Sequence, residues 1–355
     1  MDRGSIRLAT YNVEWFNALF DDDGRLLLDD KLSARYHISR DEQLRSLGQV
    51  FTALDADGVM VIEAPDTSAR RSTVTALERF AAHFGLRCNR AIVGFSSETE
   101  QEIAFLYDPT VLHPRHDPIG GASGKRGSRD APRFDGTFRY DLDTDTAPEV
   151  IRFSKPPLEL SVGLPNGDEL RLIGVHAKSK APHGAEGREA VMRLSIENRR
   201  KQLAQCIWIR ARVEDHLAAG DSLVVMGDFN DGPGLDEFEK LFGKSGVEIV
   251  LGCDGPIVGR MFDPHAELAL QSRIGLSPTT SRFYIASKKR YFEALLDFMM
   301  ISPDLARRQP NWQIWHPLND PGVAKVPGLS AALLQASDHF PVTLDLPLAR
   351  AAPQL

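Results

Sequence analysis

One stretch decides the fold: Val224-Val225-Met226-Gly227-Asp228-Phe229-Asn230-Asp231. Its run of apolar and small residues is too short for a helix, and the Gly-Pro-Gly that follows it breaks any regular element. The pattern is typical of a buried strand that ends in a polar tip. The apolar body of such a strand fixes the backbone while the tip reaches solvent, so the tip can carry reactive side chains. Alone, the pattern also fits an ordinary core strand.

The same pattern recurs along the chain. Five more strand-like runs have a carboxylate, amide or imidazole at or near one end: Ile6–Tyr11 before Asn12 and Glu14, Gly58–Ile62 before Glu63, Leu170–Val175 before His176, Phe298–Ile301 after Asp297, and Phe340–Leu344 after Asp338 and His339. The recurrence favours a functional site over an ordinary core strand.

The set resembles the endonuclease/exonuclease/phosphatase superfamily, which includes pancreatic-type deoxyribonucleases, abasic-site endonucleases, sphingomyelinases and inositol-polyphosphate phosphatases. Seven pieces follow the family's order and together cover nearly the whole chain: Thr10–Glu14, Val61–Glu63, Ile103–Tyr107, Val175–Ser179, Gly227–Asp231, Leu296–Phe298 and Ser337–Val342. One departure is Ile62 before Glu63, where many members carry Gln. The resemblance implies an α+β fold: a four-layer αββα sandwich with two mostly antiparallel sheets and the helices outside.

Composition is that of a soluble globular protein, with 42% hydrophobic and 26% charged residues in a chain of 355. We find no repeat or linker and expect one domain over residues 1–348, followed by a C-terminal tail, 349–355. An apolar run of about 18 residues is absent, so no membrane span is expected. The first residues lack the apolar core of a signal peptide, which predicts a cytoplasmic location. Cys88, Cys206 and Cys253 are then expected to be reduced, buried thiols.

The net charge of −7 weighs against a tight, non-specific binder of nucleic acid, because such binding depends on Lys and Arg. It does not exclude a nuclease. Carboxylates at a metal site contribute to the negative total, and bound cations reverse the local sign. The sequence does not indicate an oligomeric state.

Three amphipathic helices are predicted: Asp41 as N-cap of a helix to Leu54, then Thr67–Phe84, then Arg188–Ala219. A charge run at Asn198–Lys201 is expected to break the third helix and to face solvent.

Two connecting segments carry clustered charges. The acidic segment Asn17–Arg40 lacks the ligand spacing of an EF-hand loop, so we expect a solvated connection. The segment Ile119–Arg139 is rich in Gly, Lys and Arg. It is either a basic loop that reaches an anionic substrate or a disordered surface loop, and the sequence leaves both alternatives open.

Hydrolysis of a phosphate ester requires neutralised phosphoryl oxygens, an activated water and a stabilised leaving oxygen. Hard oxygen ligands with few nitrogens or thiolates favour Mg²⁺ or Mn²⁺ as the cofactor. The resemblance implies that Glu63 is the main metal carboxylate, assisted by Asn12 and, on the other side, by Asp338.

Asp228 and Asn230 lie two residues apart, which on an extended segment places both side chains on one face. Asp228 is the candidate to orient or deprotonate the attacking water, and Asn230 the candidate to bind the phosphoryl group. His339 would donate a hydrogen bond or a proton to the phosphate oxygens. The family implies Asp297 as the carboxylate that orients His339.

His176 is similar to the second imidazole of the deoxyribonuclease and sphingomyelinase branches. In those branches a Glu just before the strand Ile103–Tyr107 supports it, which makes Glu102 the expected partner.

Three hypotheses follow. The first is a metal-dependent nuclease, favoured by His176, Lys178 and the basic segment, with nucleic acid as substrate. The second is a phosphatase or phospholipase-type phosphodiesterase, for which the acidic total and the lack of an obvious aromatic stacking platform leave room. The third is an inactive binding module on the same scaffold. It is the least favoured, because every polar strand end that the reaction needs is retained.

Overall fold

The computed structural model describes residues 4–35, 37–140, 149–182, 184–233, 242–271, 278–285 and 289–348. The predicted tail, 349–355, lies outside these residues. The described residues form fifteen strands: β1 Ser5–Asn12, β2 Gly58–Pro65, β3 Arg90–Val93, β4 Gln101–Tyr107, β5 His113–His116, β6 Phe138–Tyr140, β7 Glu149–Ile151, β8 Leu158–Gly163, β9 Glu169–His176, β10 Leu223–Asp228, β11 Ser281–Ile285, β12 Arg290–Ala294, β13 Asp297–Ile301, β14 Asn311–Ile314 and β15 Val342–Pro347.

The described residues also form eight α-helices: α1 Arg40–Leu54, α2 Thr73–His83, α3 Arg188–Ala219, α4 Gly246–Leu251, α5 Pro264–Gln271, α6 Pro303–Ala306, α7 Pro321–Ala324 and α8 Leu329–Ala336. Short 3₁₀ turns at Phe16–Leu19 and Ile257–Gly259 complete the described secondary structure.

Two large sheets carry the fold. The first has the strand order β14-β15-β1-β2-β4-β3 and the second has the order β13-β10-β9-β8-β5. Each sheet contains one parallel pair, β1 with β2 and β9 with β10, and its other pairs are antiparallel. The prediction of two mostly antiparallel sheets is confirmed.

Three hydrophobic cores separate four layers. Met60 and Ile62 of β2 lie between the sheets with Met226 of β10. Val61, on the opposite face of β2, packs with residues of α1, α2 and α8, and Val225 of β10 packs with residues of α3 and α4. Because neighbouring residues of a strand point to opposite faces, each sheet buries both faces, and the helices form the outer layers. This is the predicted αββα sandwich.

Helices α1 and α2 do not begin where the sequence predicted, because a serine nearby caps each N-terminus. The N-cap of α1 is Ser39, not Asp41, because the Ser39 hydroxyl accepts the amide of Glu42 and the Glu42 carboxylate accepts the amide of Ser39. The cap of α2 is Ser72, so that helix begins well after the predicted Thr67. The bounds of α3 are as predicted, and Gly220 ends it in the left-handed conformation.

The predicted break in α3 is wrong. The helix is continuous through Asn198–Lys201, and the side chains of Asn198 and Arg199 are buried rather than solvated. The sequence alone does not show that Asn198 and Arg199 turn inward. Their partners are the Ala181 carbonyl and the buried Asp231 carboxylate.

The segment Ile119–Arg139 is anchored on α3, so the alternative of a disordered loop is wrong. The Arg212 guanidinium donates to the carbonyls of Ala131 and Pro132, and the Trp208 indole donates to Pro132 at 2.9 Å. Phe134 and Phe138 of the segment are buried around Trp208.

The thiols of Cys88 and Cys206 are buried as expected, whereas that of Cys253 is half-buried. Within the described part of the chain, no helix has the length and apolar character needed to span a membrane.

Strand register brings the polar tips together. Asp228, the last residue of β10, pairs with His176 of β9 on one side and with Asp297 of β13 on the other. The close pairing requires glycine at 227, where φ is 140° and a Cβ would lie 2.0 Å from the Val175 carbonyl oxygen. In the first sheet, β15, β1 and β2 are neighbours, so their polar ends also share one edge.

Candidate active site

A cleft of about 660 Å³ opens where the strand ends of the two sheets meet. Seven of the eight predicted site residues line it: Asn12, Glu63, His176, Asp228, Asn230, Asp338 and His339. The eighth, Asp297, is buried behind His339. The structure therefore brings together all eight residues, although they lie as far apart in sequence as Asn12 and His339. None of the described residues of Ile119–Arg139 lines this cleft.

Asp228 is the most heavily bonded acid of the cleft. One carboxylate oxygen accepts the Asn230 amide at 2.7 Å, and the other accepts the side-chain amides of Asn12 at 3.0 Å and Asn230 at 3.1 Å. Burial raises the pKa of Asp228 to about 7, with the Asp297 carboxylate acting in the same direction. The group is thus poised to exchange a proton near neutral pH.

Asn230 reaches Asp228 for a reason that differs from the predicted one. The segment is not extended there: Asn230 has a φ of 50°, in the left-handed region, and its side chain folds back. Its amide nitrogen donates to Asp228 and also to the Ala177 carbonyl at 3.1 Å. Both side-chain donors are therefore engaged within the protein.

His339 is paired with Asp297, as the sequence analysis expected. Its Nδ1 lies 2.8 Å from the Asp297 carboxylate. Burial opposes the imidazolium charge, but the Asp297 carboxylate, with smaller contributions from Asp228 and Asp338, outweighs it and raises the pKa of His339 well above its ordinary value. This shift favours the imidazolium form of His339.

His176 is held in the opposite charge state. Burial, and then the positive charge of Lys155, lower the pKa of His176 well below its ordinary value. Lys155 Nζ lies 3.3 Å from His176 Nδ1. Because an ammonium group only donates, Nδ1 must accept and the proton must sit on Nε2. That Nε2 faces the carboxylates of Asp228, at 3.7 Å, and Glu63, at 3.9 Å.

Glu102 is not the partner of His176, so that prediction is wrong. Its carboxylate accepts the Ser97 amide, with both oxygens at 3.1 Å. Neighbouring residues of β4 point to opposite faces, and it is Gln101 that faces the cleft. Gln101 donates to Glu63 at 2.5 Å and accepts a hydrogen bond from Lys155. The neighbour of His176 Nδ1 is therefore Lys155, and neither Glu102 nor Gln101 is hydrogen-bonded to His176 among the described contacts.

Lys155 and Gln101 line the cleft, but the sequence analysis gave neither of them a role. Lys155 had a signal, because it precedes two prolines at the start of β8, in a stretch similar to one that carries a basic residue in the family. Gln101 had none. A third such residue, Glu14, forms an ion pair with Arg35, and burial raises the pKa of Glu14 to about 7.

Glu63 sits in a strained backbone position. It has a φ of 62° and occupies a β-bulge, where the register of β2 against β4 shifts between Ile62 and Ala64. Bulges re-aim a side chain, and strain of this kind costs about 1–3 kcal/mol and persists only where the surroundings hold it. Burial raises the pKa of Glu63, and the nearby positive charges of Lys155 and His339 offset this shift only in part.

The donor set fits a hard divalent cation. Asn12 Oδ1 is buried and has no hydrogen-bond partner among the described residues, which is costly unless a ligand satisfies it. The carboxylates of Glu63 and Asp338 line the same cleft, and the pKa of each is raised, first by burial. These oxygens are the ligand type that Mg²⁺ and Mn²⁺ prefer.

A second set of three potential metal ligands lies nearby. Potential ligand atoms of Asp228, Asp297 and His339 lie within 4.8 Å of one another. Two of them already form the 2.8 Å hydrogen bond, and the pKa of His339 is raised, which disfavours the neutral imidazole that a metal requires. Glu63, Asn12 and Asp338 are therefore the better candidate.

Comparison with known proteins identifies the family. A profile of the Endonuclease/Exonuclease/phosphatase family matches residues 9–339. The chain belongs to that family. It is thus a phosphoesterase-type hydrolase in family terms, and the resemblance drawn from the strand ends is confirmed. A search of curated proteins finds no significant match.

Solved structures with related folds share little sequence with this member of the family. Truncated Caenorhabditis elegans TDP2 is 13% identical, with 97% of this chain and 98% of that chain covered and a TM-score of 0.49. An AP endonuclease from Archaeoglobus fulgidus is 12% identical, with 96% and 98% covered and a TM-score of 0.48. A 3' phosphatase, NExo, from Neisseria is 13% identical, with 96% and 99% covered and a TM-score of 0.47.

The opposite charge states of the two histidines can be measured directly. In metal-free protein at pH 7 we expect His176 to be neutral with its proton on Nε2, and His339 to carry protons on both nitrogens. Nitrogen-15 NMR of the imidazole rings distinguishes these forms. Lowering the pH through the ordinary histidine range should leave His176 neutral, because its pKa is depressed, and raising it should leave His339 charged.

Lys155→Met is the matched change, since it removes the ammonium group beside Nδ1 and keeps an unbranched chain. We expect it to bring the pKa of His176 back toward its ordinary value and to leave His339 charged. A His176 that titrates normally in the wild-type protein, or that is protonated on Nδ1, would contradict the assignment.

Proposed function

We propose that the protein is a divalent-metal-dependent nuclease that hydrolyses phosphodiester bonds of nucleic acid. The observation that carries the proposal is geometric: the buried Asp228 carboxylate, the His339 imidazole paired with Asp297 and the His176 imidazole beside Lys155 meet at one cleft. These groups can deprotonate water and donate to a phosphoryl group from two sides. A cytoplasmic location stays a prediction.

Each residue has a role in this proposal. Asp228 accepts the proton of the attacking water, and Asn230 and Asn12 hold its carboxylate by the hydrogen bonds described above. His339 donates to a phosphoryl oxygen while Asp297 fixes its ring. His176 donates through Nε2 from the other side of the cleft. Asn230 can also contact the phosphoryl group, as the sequence analysis expected, if it exchanges one of its two internal hydrogen bonds for the substrate.

Glu63, Asn12 and Asp338 would hold Mg²⁺ or Mn²⁺. When bound, such a cation neutralises charge on the phosphate and on the leaving oxygen. Lys155 adds a positive charge at the same end of the cleft. Burial lowers the pKa of its ammonium group, and the attraction of the Glu63 carboxylate opposes this shift only in part. The bound cation, Lys155 and His339 would together offset the carboxylates of the cleft.

Aromatic side chains on the two-stranded ribbon of β11 and β12 support nucleic acid as the substrate. Strands β11 and β12 form a two-stranded hairpin that is joined to the site, since the Arg282 amide donates to the Asp338 carbonyl at 2.8 Å. Phe283 lines the cleft and meets the His339 ring edge-on at 5.5 Å. Phe292 pairs directly with Phe283, so both rings share the face toward the cleft, and Phe292 is exposed.

This arrangement supplies the stacking surface that the sequence did not reveal. A base that flanks the scissile phosphate can stack on exposed rings beside the cleft, whichever base it is. Arg290, two residues before Phe292 in β12, lies on the same face and is exposed, so its positive charge suits the phosphate backbone. A small phosphomonoester has no base to stack on Phe292, which favours the nuclease over the phosphatase alternative.

Plasmid nicking tests the activity. We expect supercoiled plasmid to be relaxed with Mg²⁺ or Mn²⁺ and to stay intact with a chelator. His339→Ala and Asp228→Asn should each lower the rate by about 10²–10⁴-fold, because each removes a proton-transfer group. Both variants should keep the unfolding transition of a folded protein.

The two variants also expose contaminating nuclease, since nicking that persists in both cannot come from this site. Absence of nicking would move the proposal to RNA, phospholipid and small phosphoesters, assayed in that order with the same variants. Full activity in Asp228→Asn would contradict the mechanism.

The ribbon makes a separate prediction about substrate preference. Phe292→Ala should raise KM for a single-stranded oligonucleotide by about 5–100-fold, as expected from loss of one stacked base, and should leave hydrolysis of bis(p-nitrophenyl) phosphate unchanged. Tyr284→Ala is the matched control. It is an exposed aromatic of the same hairpin, but it pairs with Tyr291 on the opposite face. An equal effect of the two substitutions would refute stacking on the cleft-facing rings.

A further inference from the structure

The buried polar residues of α3 face the back of the site. Gln202 lies four residues after Asn198, three after Arg199 and three before Gln205, so these side chains lie toward one side of the helix, and all four are buried. Asn198 donates to the Ala181 carbonyl at 3.0 Å, and Gln205 accepts the Lys178 amide at 2.8 Å. Asn198 and Gln205 thus bind backbone groups of the loop after β9, whereas Arg199 pairs with the Asp231 carboxylate in the loop after β10.

Gln202 has the largest share of these bonds. Its side-chain nitrogen lies 3.0 Å from the Lys178 carbonyl, 3.1 Å from the Phe229 carbonyl and 2.9 Å from the Asn230 carbonyl. Three carbonyl oxygens around one atom require that atom to be the amino group of the amide, which fixes the orientation of the side chain. Gln202 is wholly buried.

The three carbonyls belong to two different loops. Lys178 follows His176 at the end of β9, and Phe229 and Asn230 follow Asp228 at the end of β10. The ladder between these parallel strands ends with the pair Asp228 and His176, so the carbonyls beyond it have lost their strand partners. Buried carbonyls need donors, and Gln202 provides them.

Asn230 is the point at which this support is needed. A left-handed backbone in a residue other than glycine is retained only where its surroundings hold it. The Gln202 amide holds the Asn230 carbonyl, while the Asp228 carboxylate holds its amide hydrogen at 2.7 Å. Moving this peptide would move both donors that Asn230 offers to Asp228.

We propose that Gln202 is a positioning residue for the reaction: it clamps the loops after β9 and β10 together and thereby fixes Asn230 against the Asp228 carboxylate. The inference rests on the proposed hydrolytic function. Gln202 does not touch the substrate, and it acts through the backbone carbonyls of Lys178, Phe229 and Asn230. Its loss should therefore slow turnover without weakening substrate binding.

Gln202→Met tests the clamp, because methionine has a similar length and shape but no hydrogen to donate. We expect kcat for the oligonucleotide to fall about 100-fold, the size of effect that follows from a small displacement of a catalytic group, with KM changed less than about threefold. Hydrogen exchange followed by mass spectrometry should show faster exchange of the backbone amides in 228–232. Val213→Ala, a cavity-forming change in the same helix, is the control, and should leave both quantities at their wild-type values.

Unchanged exchange in 228–232, or unchanged kcat in spite of faster exchange, would overturn the proposal. So would an equal loss of kcat in Val213→Ala, which would indicate that any damage to α3 has this effect. Gln202→Leu gives the same two readouts if the methionine variant does not fold, because leucine also lacks a donor. In the wild-type protein, moreover, the Asn230 amide should exchange as slowly as the amides of β10, and exchange typical of a surface loop would refute the clamp.

Failure of the proposed function is distinguishable from failure of the clamp. If the wild-type protein hydrolyses no phosphoester, the kinetic comparison is lost and the nuclease proposal fails. The exchange comparison still decides whether Gln202 fixes the Asp228 loop, because it requires no substrate.

Discussion

The hydrogen bond from Asn12 to Asp228 joins the two sheets at the place where chemistry is expected. Asn12 ends β1 of the first sheet and Asp228 ends β10 of the second, and their side chains meet at 3.0 Å. A buried carboxylate with a pKa near 7 is costly unless donors surround it, so the sheets must stack with these two strand ends in register. The other cleft residues take their places from that alignment, since β9, β13, β2 and β15 are the neighbours of these two strands.

Two histidines in one cleft differ because their neighbours differ. His339 has a carboxylate at its Nδ1, and His176 has an ammonium group there. Burial lowers the pKa of both imidazoles, and the sign of the adjacent charge decides which of them keeps its proton. The same fold thus provides a cationic donor and a neutral donor on the two sides of one carboxylate.

Much of this arrangement could be predicted from the sequence. Each of the six polar strand ends, including Asp228 after Val224–Gly227 and His339 before β15, was recognisable because an apolar run of strand length stops at a reactive side chain. Family order then supplied the pairing of Asp297 with His339. Helix α3 was predicted with its bounds, since its apolar spacing and Gly220 are local signals.

The errors arise where tertiary contacts decide. Glu102 and Gln101 differ only in the face of β4 that they occupy, and the bulge at Glu63 helps to set that register. Asn198 and Arg199 were expected to face solvent because their buried partners, the Ala181 carbonyl and the Asp231 carboxylate, are distant in sequence. The left-handed turn at Asn230 has no signal beyond the tolerance of asparagine for that conformation.

The most direct test of the central claim is the position of the cation. Crystals soaked in Mn²⁺ should give an anomalous difference peak within about 2.2 Å of the Glu63 carboxylate and of Asn12 Oδ1, with Asp338 close by. Asp228 would then remain free to act on water, and His339 would keep its hydrogen bond to Asp297. A peak instead among Asp228, Asp297 and His339 would contradict the account, because it would make the proposed base and proton donor metal ligands.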